Sequence, residues 1–261
     1  MARTFIDKMH EGRVCVGAAV SLNDATVTEA LATVFDFVWI DMEHNPLSLE
    51  DVQGHIIAAK GSDCTPIVRV PWNDPVLMKP VLDIGAAGIV APMVSTAEET
   101  RRAVAACMYP PDGIRGFGPR RPSNYSRLGG PEFCKAANES MIVVIQIEHI
   151  DGVNNIDEIV AVPGLSAIMI GANDLSGSMG HMGEPGHPDV VKAVDTVIRQ
   201  CNKAKMPVGV AVSHDPDVLA GWVKKGVNWL MSGNDYTLML HTADNIMAKL
   251  REKISQPVGQ A

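Results

Sequence analysis

Glu148 ends the apolar run Met141-Ile-Val-Val-Ile-Gln-Ile-Glu148, and Asp174 follows a second run, in Ile170-Gly-Ala-Asn-Asp-Leu-Ser-Gly-Ser-Met-Gly180. The 26 positions between them match one strand–loop–helix–loop repeat of an α/β protein, so the two carboxylates can end neighbouring strands. Asp174 then sits in a flexible, glycine-bearing loop. With waters and substrate oxygens completing the shell, such a pair suits a hard cation: Mg²⁺ or Mn²⁺, with Co²⁺ as a further candidate. Zinc suits it less, because no Cys or His cluster shares these positions and His149 has the opposite strand parity to Glu148.

Three more polar residues fall at strand ends. Gln146 shares parity with Glu148 and projects to the same face. Arg69, in Pro66-Ile-Val-Arg-Val70, needs an anionic partner if buried. It is either a paired structural arginine or a positive group aimed at charge developing on a substrate oxygen. His44, in Asp41-Met-Glu-His44, is a candidate general base beside two acids, the alternative being a satisfied core histidine. Asp41 and Glu43 are candidates to support it.

Convergent strand ends require a particular scaffold. Apolar runs at Val14–Val20, Phe37–Asp41, Pro66–Val70, Gly88–Met93, Met141–Ile147, Ala167–Ile170, Pro207–Ala211 and Val227–Met231 alternate with helix-like stretches. Among the latter are Leu47–Lys60, with Ser48 as cap, and Thr96–Cys107, opened by the capping-box pair Thr96 and Glu99. Asp74–Ile84, Val153–Val160, Pro188–Ala204, Pro216–Lys224 and Tyr236–Leu250 read the same way. Continuous rather than alternating apolar strands indicate burial on both faces, as parallel sheets require. Eight such units predict a single (β/α)8 TIM barrel over residues 1–251 with a flexible tail at 252–261; an open doubly wound sheet is the alternative. Tyr109 to Gly130, rich in Pro, Gly and Arg, is a long loop of the kind that carries function.

Composition removes several function classes. With 22 Lys and Arg against 30 Asp and Glu, the 261-residue chain carries a net charge of −8, which excludes a phosphate-backbone partner on charge grounds. No uncharged run reaches the length of a membrane span, and the N-terminus meets charges before any sizeable apolar stretch, so a cytoplasmic protein is expected. The 5 cysteines lack a C-x-x-C pair and read as ordinary buried thiols. No assigned strand carries a lysine for Schiff-base chemistry; Lys60 and Lys79 fall on helical stretches.

Seven segments occur in a telling order: Trp39-Ile-Asp-Met-Glu-His44, Val68-Arg-Val-Pro-Trp-Asn-Asp-Pro75, Leu82-Asp-Ile-Gly-Ala86, Val90-Ala-Pro-Met-Val94, Tyr109-Pro-Pro-Asp-Gly-Ile-Arg-Gly116, Gln146-Ile-Glu148 and Ile170-Gly-Ala-Asn-Asp-Leu-Ser176. Together they resemble the metal-dependent (class II) pyruvate aldolases of the 4-hydroxy-2-oxoheptanedioate and 2-keto-3-deoxy-sugar-acid type. The resemblance implies a homo-oligomeric barrel, trimeric or hexameric, acting on a small 2-oxo acid and an aldehyde. Glu148 and Asp174 would bind the metal, and Arg69 would stabilise a pyruvate enolate. His44 would be the base, oriented by Asp83, which the resemblance places on a neighbouring subunit. Gln146 would line the metal site, and the backbone N–H groups of Asn173 and Asp174 would hold the substrate carboxylate. Read by itself, Asp83 is an ordinary helix residue.

Three departures from the family pattern stand out. Gly171-Ala-Asn-Asp174 replaces Gly-Pro-Ala-Asp; Ala18-Ala19 stands where many members carry Trp; and the loop Gly116-Phe-Gly-Pro-Arg-Arg-Pro-Ser-Asn-Tyr125 is unlike the small-residue loop of the heptanedioate enzymes. Arg120 or Arg121 could meet a distal anion of the acceptor or serve a subunit contact. Rival activities on the same scaffold are decarboxylation of oxaloacetate-like acids and CoA-ester cleavage; the non-enzymatic rival is a metabolite-binding assembly protein.

Overall fold

The computed structural model describes residues 4–211 and 214–255. A short helix, α1 (Phe5–His10), precedes β1 (Cys15–Val20), α2 (Ala25–Leu31), β2 (Phe37–Asp41), α3 (Leu49–Ala58), β3 (Thr65–Arg69), α4 (Pro75–Asp83), β4 (Gly88–Ala91) and α5 (Ala97–Cys107). The long loop then leads to α6 (Gly130–Ser140), β5 (Ile142–Ile147), α7 (Ile150–Asn154), α8 (Ile156–Ile159), β6 (Ala167–Ile170) and α9 (Ala172–Ser178). The chain continues through α10 (Pro188–Ala204), β7 (Val208–Ala211), α11 (Pro216–Lys224), β8 (Trp229–Asn234) and α12 (Asp235–Ser255). The eight strands pair in sequence order, all parallel, and β8 closes onto β1. This is the expected TIM barrel.

Local chemistry sets the helix starts. Ser48 and Thr96 each cap a helix through a reciprocal box with the acid three residues on, Asp51 and Glu99. Asp24, Asp74 and Asp215 cap α2, α4 and α11 through their side chains. α1 carries the same device, Thr4 with Asp7, in a segment too short to show a period.

Side-chain parity separates two cores. Outward-facing strand residues such as Val38, Ile40, Val68, Ile145 and Ile168 pack under the helices. Inward-facing Phe37, Trp39, Ile67, Val90, Val144, Met169 and Trp229 fill the barrel, and Phe5 of α1 plugs its N-terminal end, 4.9 Å from Phe37 and 5.5 Å from Trp229 between ring centroids. Gly209 makes room for this layer, since a Cβ there would lie 2.4 Å from the Trp229 indole. With its lower half filled by rings, the barrel carries the inward charged residues Asp41 and Arg69 at the C-terminal ends of their strands, with Glu148 just past the end of β5.

Several boundaries differ from the sequence reading. Residues 172–178 form helix α9, not a loop, so Asp174 lies in a first helical turn. The expected helix Val153–Val160 is two short helices meeting at Asn155, whose Nδ2 donates to the Ser95 carbonyl at 2.9 Å. β4 stops at Ala91, because Met93 adopts a left-handed φ of 54° that turns its N–H toward Glu148. α12 runs on through Ser255, past the tail boundary drawn at residue 252, because Arg251-Glu-Lys-Ile are residues that an exposed helix tolerates; 256–261 lie outside the described residues.

Candidate active site

β2, β3 and β5 deliver the polar cluster. Asp41 is the register partner of Arg69 across β2 and β3, and the guanidinium forks onto its carboxylate: Nε to Oδ1 and Nη2 to Oδ2, both at 2.8 Å. The remaining arm, Nη1, pairs with Glu43 Oε2 at 2.8 Å and reaches Gln146 Oε1 at 3.5 Å. Asp41 itself accepts from Asn45 Nδ2 at 2.7 Å and from the Glu43 N–H at 3.1 Å. Arg69 is thus the paired arginine that burial demands, with its outer edge turned to the cavity. Burial alone would lower its pKa, but the hydrogen bonds and charge of Asp41, helped by Glu43 and Glu148, raise it, so the group stays cationic.

Glu148, just past the end of β5, is only 2% exposed. Oε1 accepts from the Met93 N–H at 2.6 Å, and Oε2 accepts from Gln146 Nε2. Burial is the main force on its titration, and the charges of Glu43 and Asp174 add to it against the Met93 N–H and Arg69; the carboxyl is pushed up to about 7. Burial likewise pushes Glu43 up, opposed by Arg69 and His44. The charges of Glu43 and Asp174 both act on Glu148 with Arg69 as the nearby cation, which leaves negative charge under-compensated, a setting that a divalent ion fits. Gly171 supplies the space: a Cβ there would lie 2.7 Å from Gln146 Nε2 and 2.8 Å from Glu148 Oε2.

Asp174 and Asn173 are on the exposed first turn of α9, and the charge of Asp174 reaches Glu148. The first intrahelical bond there runs from Leu175 N to Gly171 O at 3.0 Å, so the N–H groups of Asn173 and Asp174 precede the helical ladder. A cavity of about 680 Å³ opens over the cluster, lined by His44, Arg69, Gln146, Asn173, Asp174 and Asn234 among others. Its volume accommodates a small metabolite.

His44 and Asp83 fare differently. His44 is not a core histidine: its side chain is 62% exposed at the cavity rim, with Nε2 3.7 Å from Glu43 Oε2. Asp83 ends α4, at the turn that feeds the start of β4, hence at the opposite end of the barrel from His44. There it accepts from Arg115 Nη2 at 3.0 Å. One chain therefore does not bring the two together. In the long loop, Arg121 donates to the Ile84 carbonyl at 2.8 Å, whereas Arg120 is exposed.

Two parts of the site carry little signal in the sequence. The Met93 N–H on Glu148 has no side-chain signal, and only the Pro-Met-Val break after β4 hints at a turn. Asn234, whose Nδ2 reaches Ser21 Oγ and Tyr236 Oη at 3.3 Å, was hidden because β8 runs three residues further than its apolar run.

Comparison with known proteins identifies the family and repeats the fold. The model of the HpcH/HpaI aldolase/citrate lyase family matches residues 19–242. A 2-dehydro-3,6-dideoxy-6-sulfogluconate aldolase of Pseudomonas putida is 36% identical over 229 residues, covering 87% of this chain and 89% of that protein. A 4-hydroxy-2-oxo-heptane-1,7-dioate aldolase of Salmonella paratyphi C is 36% identical over 252 residues, covering 95% of each. The crystal structure of a family protein from Burkholderia cenocepacia J2315 superposes with a TM-score of 0.87 at 30% identity, covering 92% of this chain and 95% of that one. The chain belongs to the HpcH/HpaI aldolase/citrate lyase family, and with it to the lyases.

Proposed function

We propose that this protein is a divalent-metal-dependent aldolase that cleaves and forms the C3–C4 bond of 4-hydroxy-2-oxo acids, yielding pyruvate or a related 2-oxo acid and an aldehyde. The observation that carries the reading is Glu148: a nearly fully buried carboxylate under the charge of two further acids and one already paired arginine, hydrogen-bonded to Gln146, which with Arg69 and Asp174 lines a cavity of metabolite size. Glu148 and Asp174 would hold Mg²⁺ or Mn²⁺. When bound, the ion supplies Lewis acidity to the 2-oxo acid.

The chain's own residues perform the rest. Arg69, locked on two sides by Asp41 and Glu43, presents a fixed positive edge to the keto oxygen as negative charge builds there, without reorganising at the moment of reaction. The Asn173 and Asp174 N–H groups orient the substrate carboxylate. In cleavage His44 takes the C4 hydroxyl proton as the C3–C4 bond breaks, the electron pair passes to the keto oxygen beside Arg69, and a proton from solvent at C3 completes the 2-oxo acid. Condensation reverses these steps, and the exposed rim position of His44 leaves it free to reach that hydroxyl. Gln146 fixes Glu148 and faces Arg69, coupling the metal ligand to the oxygen-binding group.

Asp83 can orient His44 only from a second copy, so this reading includes a homo-oligomer, trimeric or hexameric. α12 supports that: Met239, Leu240, Ile246, Met247, Leu250 and Ile254 are exposed along its length, a larger apolar stripe than a lone surface helix normally shows. No helix among the described residues is long and apolar enough to cross a membrane, in keeping with a metabolic enzyme of the cytoplasm.

The test is aldol cleavage by chelator-stripped protein. Activity toward a 4-hydroxy-2-oxo acid should vanish on stripping and return with Mg²⁺ or Mn²⁺. Oxaloacetate decarboxylation without any aldol cleavage, across a panel of aldehydes, would overturn the reading.

A further inference from the structure

Beyond the catalytic cavity, the segment His181-Met-Gly-Glu-Pro-Gly-His-Pro-Asp189 joins α9 to α10 and gathers two imidazoles and a carboxylate. One donor atom from each of His181, His187 and Asp189 lies within 4.8 Å of the others, which among the described residues is the one such group of three. The imidazole rings are stacked, 3.5 Å between centroids and 15° between planes. His181 Nε2 and His187 Nδ1 stand 3.9 Å and 3.8 Å from the same oxygen, Asp189 Oδ2.

Helix capping accounts for only part of this. His187 Nδ1 accepts from the Asp189 N–H at 3.3 Å and so begins α10. That role requires neither His181 nor the convergence of its Nε2 on the Asp189 carboxylate. The backbone, meanwhile, fixes the spacing of both rings: His181 N donates to Ser176 O at 2.8 Å, Glu184 N to His181 O at 2.9 Å and His187 N to Glu184 O at 2.9 Å. Gly180 and Gly183, at φ 82° and 80°, permit the two turns.

The geometry points to a second cation site here, separate from Glu148 and Asp174, that takes a borderline transition-metal ion such as Zn²⁺ on His181, His187 and Asp189. Two imidazoles and one carboxylate form a donor set that zinc accepts and that Mg²⁺, with its demand for oxygen, does not. Donors on a tetrahedral zinc ion lie roughly 3.3 Å apart, so the three groups would close by up to about 1.5 Å, with the stacked rings splaying and His187 Nδ1 exchanging the Asp189 N–H for the ion. The two imidazoles are half-buried and Asp189 is exposed, which leaves an entry path and a place for a water ligand. Pro185 and Gly186, between the ligands in sequence, also line the catalytic cavity, so an ion bound here would pin part of that wall. The catalytic site is thereby given one hard cation and the neighbouring loop one softer ion.

The test uses the full chain, stripped of metal and carrying Glu148→Gln with Asp174→Asn so that the first site is silent. Zn²⁺ titrated against a chromophoric zinc chelator at neutral pH should bind with one ion per chain, without competition from excess Mg²⁺. Adding His181→Ala or, separately, the conservative Asp189→Asn should weaken binding by about tenfold or more, and the ring-nitrogen NMR signals of His181 and His187 should shift on adding Zn²⁺ to the unmutated chain. Binding that is indifferent to both substitutions, or ring signals that stay in place at saturating Zn²⁺, would overturn the proposal. Neither readout involves catalysis, so failure of the aldolase reading would leave this result standing.

Discussion

Arg69 and Glu148 divide the electrostatics of the site between them. Arg69 is clamped by acids on two sides, and its removal would strand Asp41, which is 4% exposed; Arg69→Ala should therefore lower stability by about 3 kcal/mol in thermal melts, as breaking a buried pair does. Arg69→Lys would keep the charge but lose the fork, and should reduce kcat by about a hundredfold with a smaller stability change. Glu148 makes the metal-free protein sensitive to pH. Its folded-state pKa of about 7 exceeds the ordinary 4.5, so the folded protein holds a proton that the unfolded chain releases first. Stability should accordingly be greatest below about pH 4.5 for this group and decline, by on the order of 3 kcal/mol, as pH rises through 7. Glu148→Gln should flatten that decline in denaturant titrations across the same window, and an unchanged slope would show that another group is responsible.

At the scale of elements, the strands carried most of the legible information. Parallel strands buried on both faces leave continuous apolar runs, and in such a run Arg69, Gln146 and the terminal Glu148 stand out; their parity and their place at a strand's end followed directly from position. What could not be read was register. That Asp41 lies opposite Arg69, rather than one residue along, is decided by barrel closure, so the supporting role first given to Asp41 beside His44 became a clamp on Arg69. α9 was hidden too, because Gly171, Gly177 and Gly180 look like a loop when tertiary packing is left out. Gly171 links that helix to the site, and Gly171→Ala tests the link: a methyl group under 3 Å from both Gln146 and Glu148 should lower Mn²⁺ affinity by about tenfold or more in a calorimetric titration, while circular dichroism stays that of the parent.

For the whole molecule, the proposed pairing of His44 with Asp83 would make assembly a functional matter, since the two lie at opposite ends of one barrel. If the two meet only between copies, His44→Gln and Asp83→Asn proteins should each be nearly inactive, yet unfolding, mixing and refolding them together should restore part of the activity through hybrid sites. Light scattering should give an assembly of three or six chains, and Leu240→Glu with Met247→Glu, on the exposed stripe of α12, should shift it to smaller species of lower activity. Neither the apolar stripe nor the placement of Asp83 was legible from the chain alone, since the one looks like an ordinary amphipathic helix and the other like a helix surface acid. The claim beneath all of these is that Glu148, with a divalent ion, lets the protein draw a proton from the methyl group of a bound 2-oxo acid. The most direct measurement is exchange of deuterium from solvent into the methyl of pyruvate, followed by NMR with no aldehyde present. Exchange that requires Mg²⁺ or Mn²⁺, stops with chelator and is absent in Glu148→Gln is the predicted result; exchange that persists in chelator or is untouched by that substitution would contradict it.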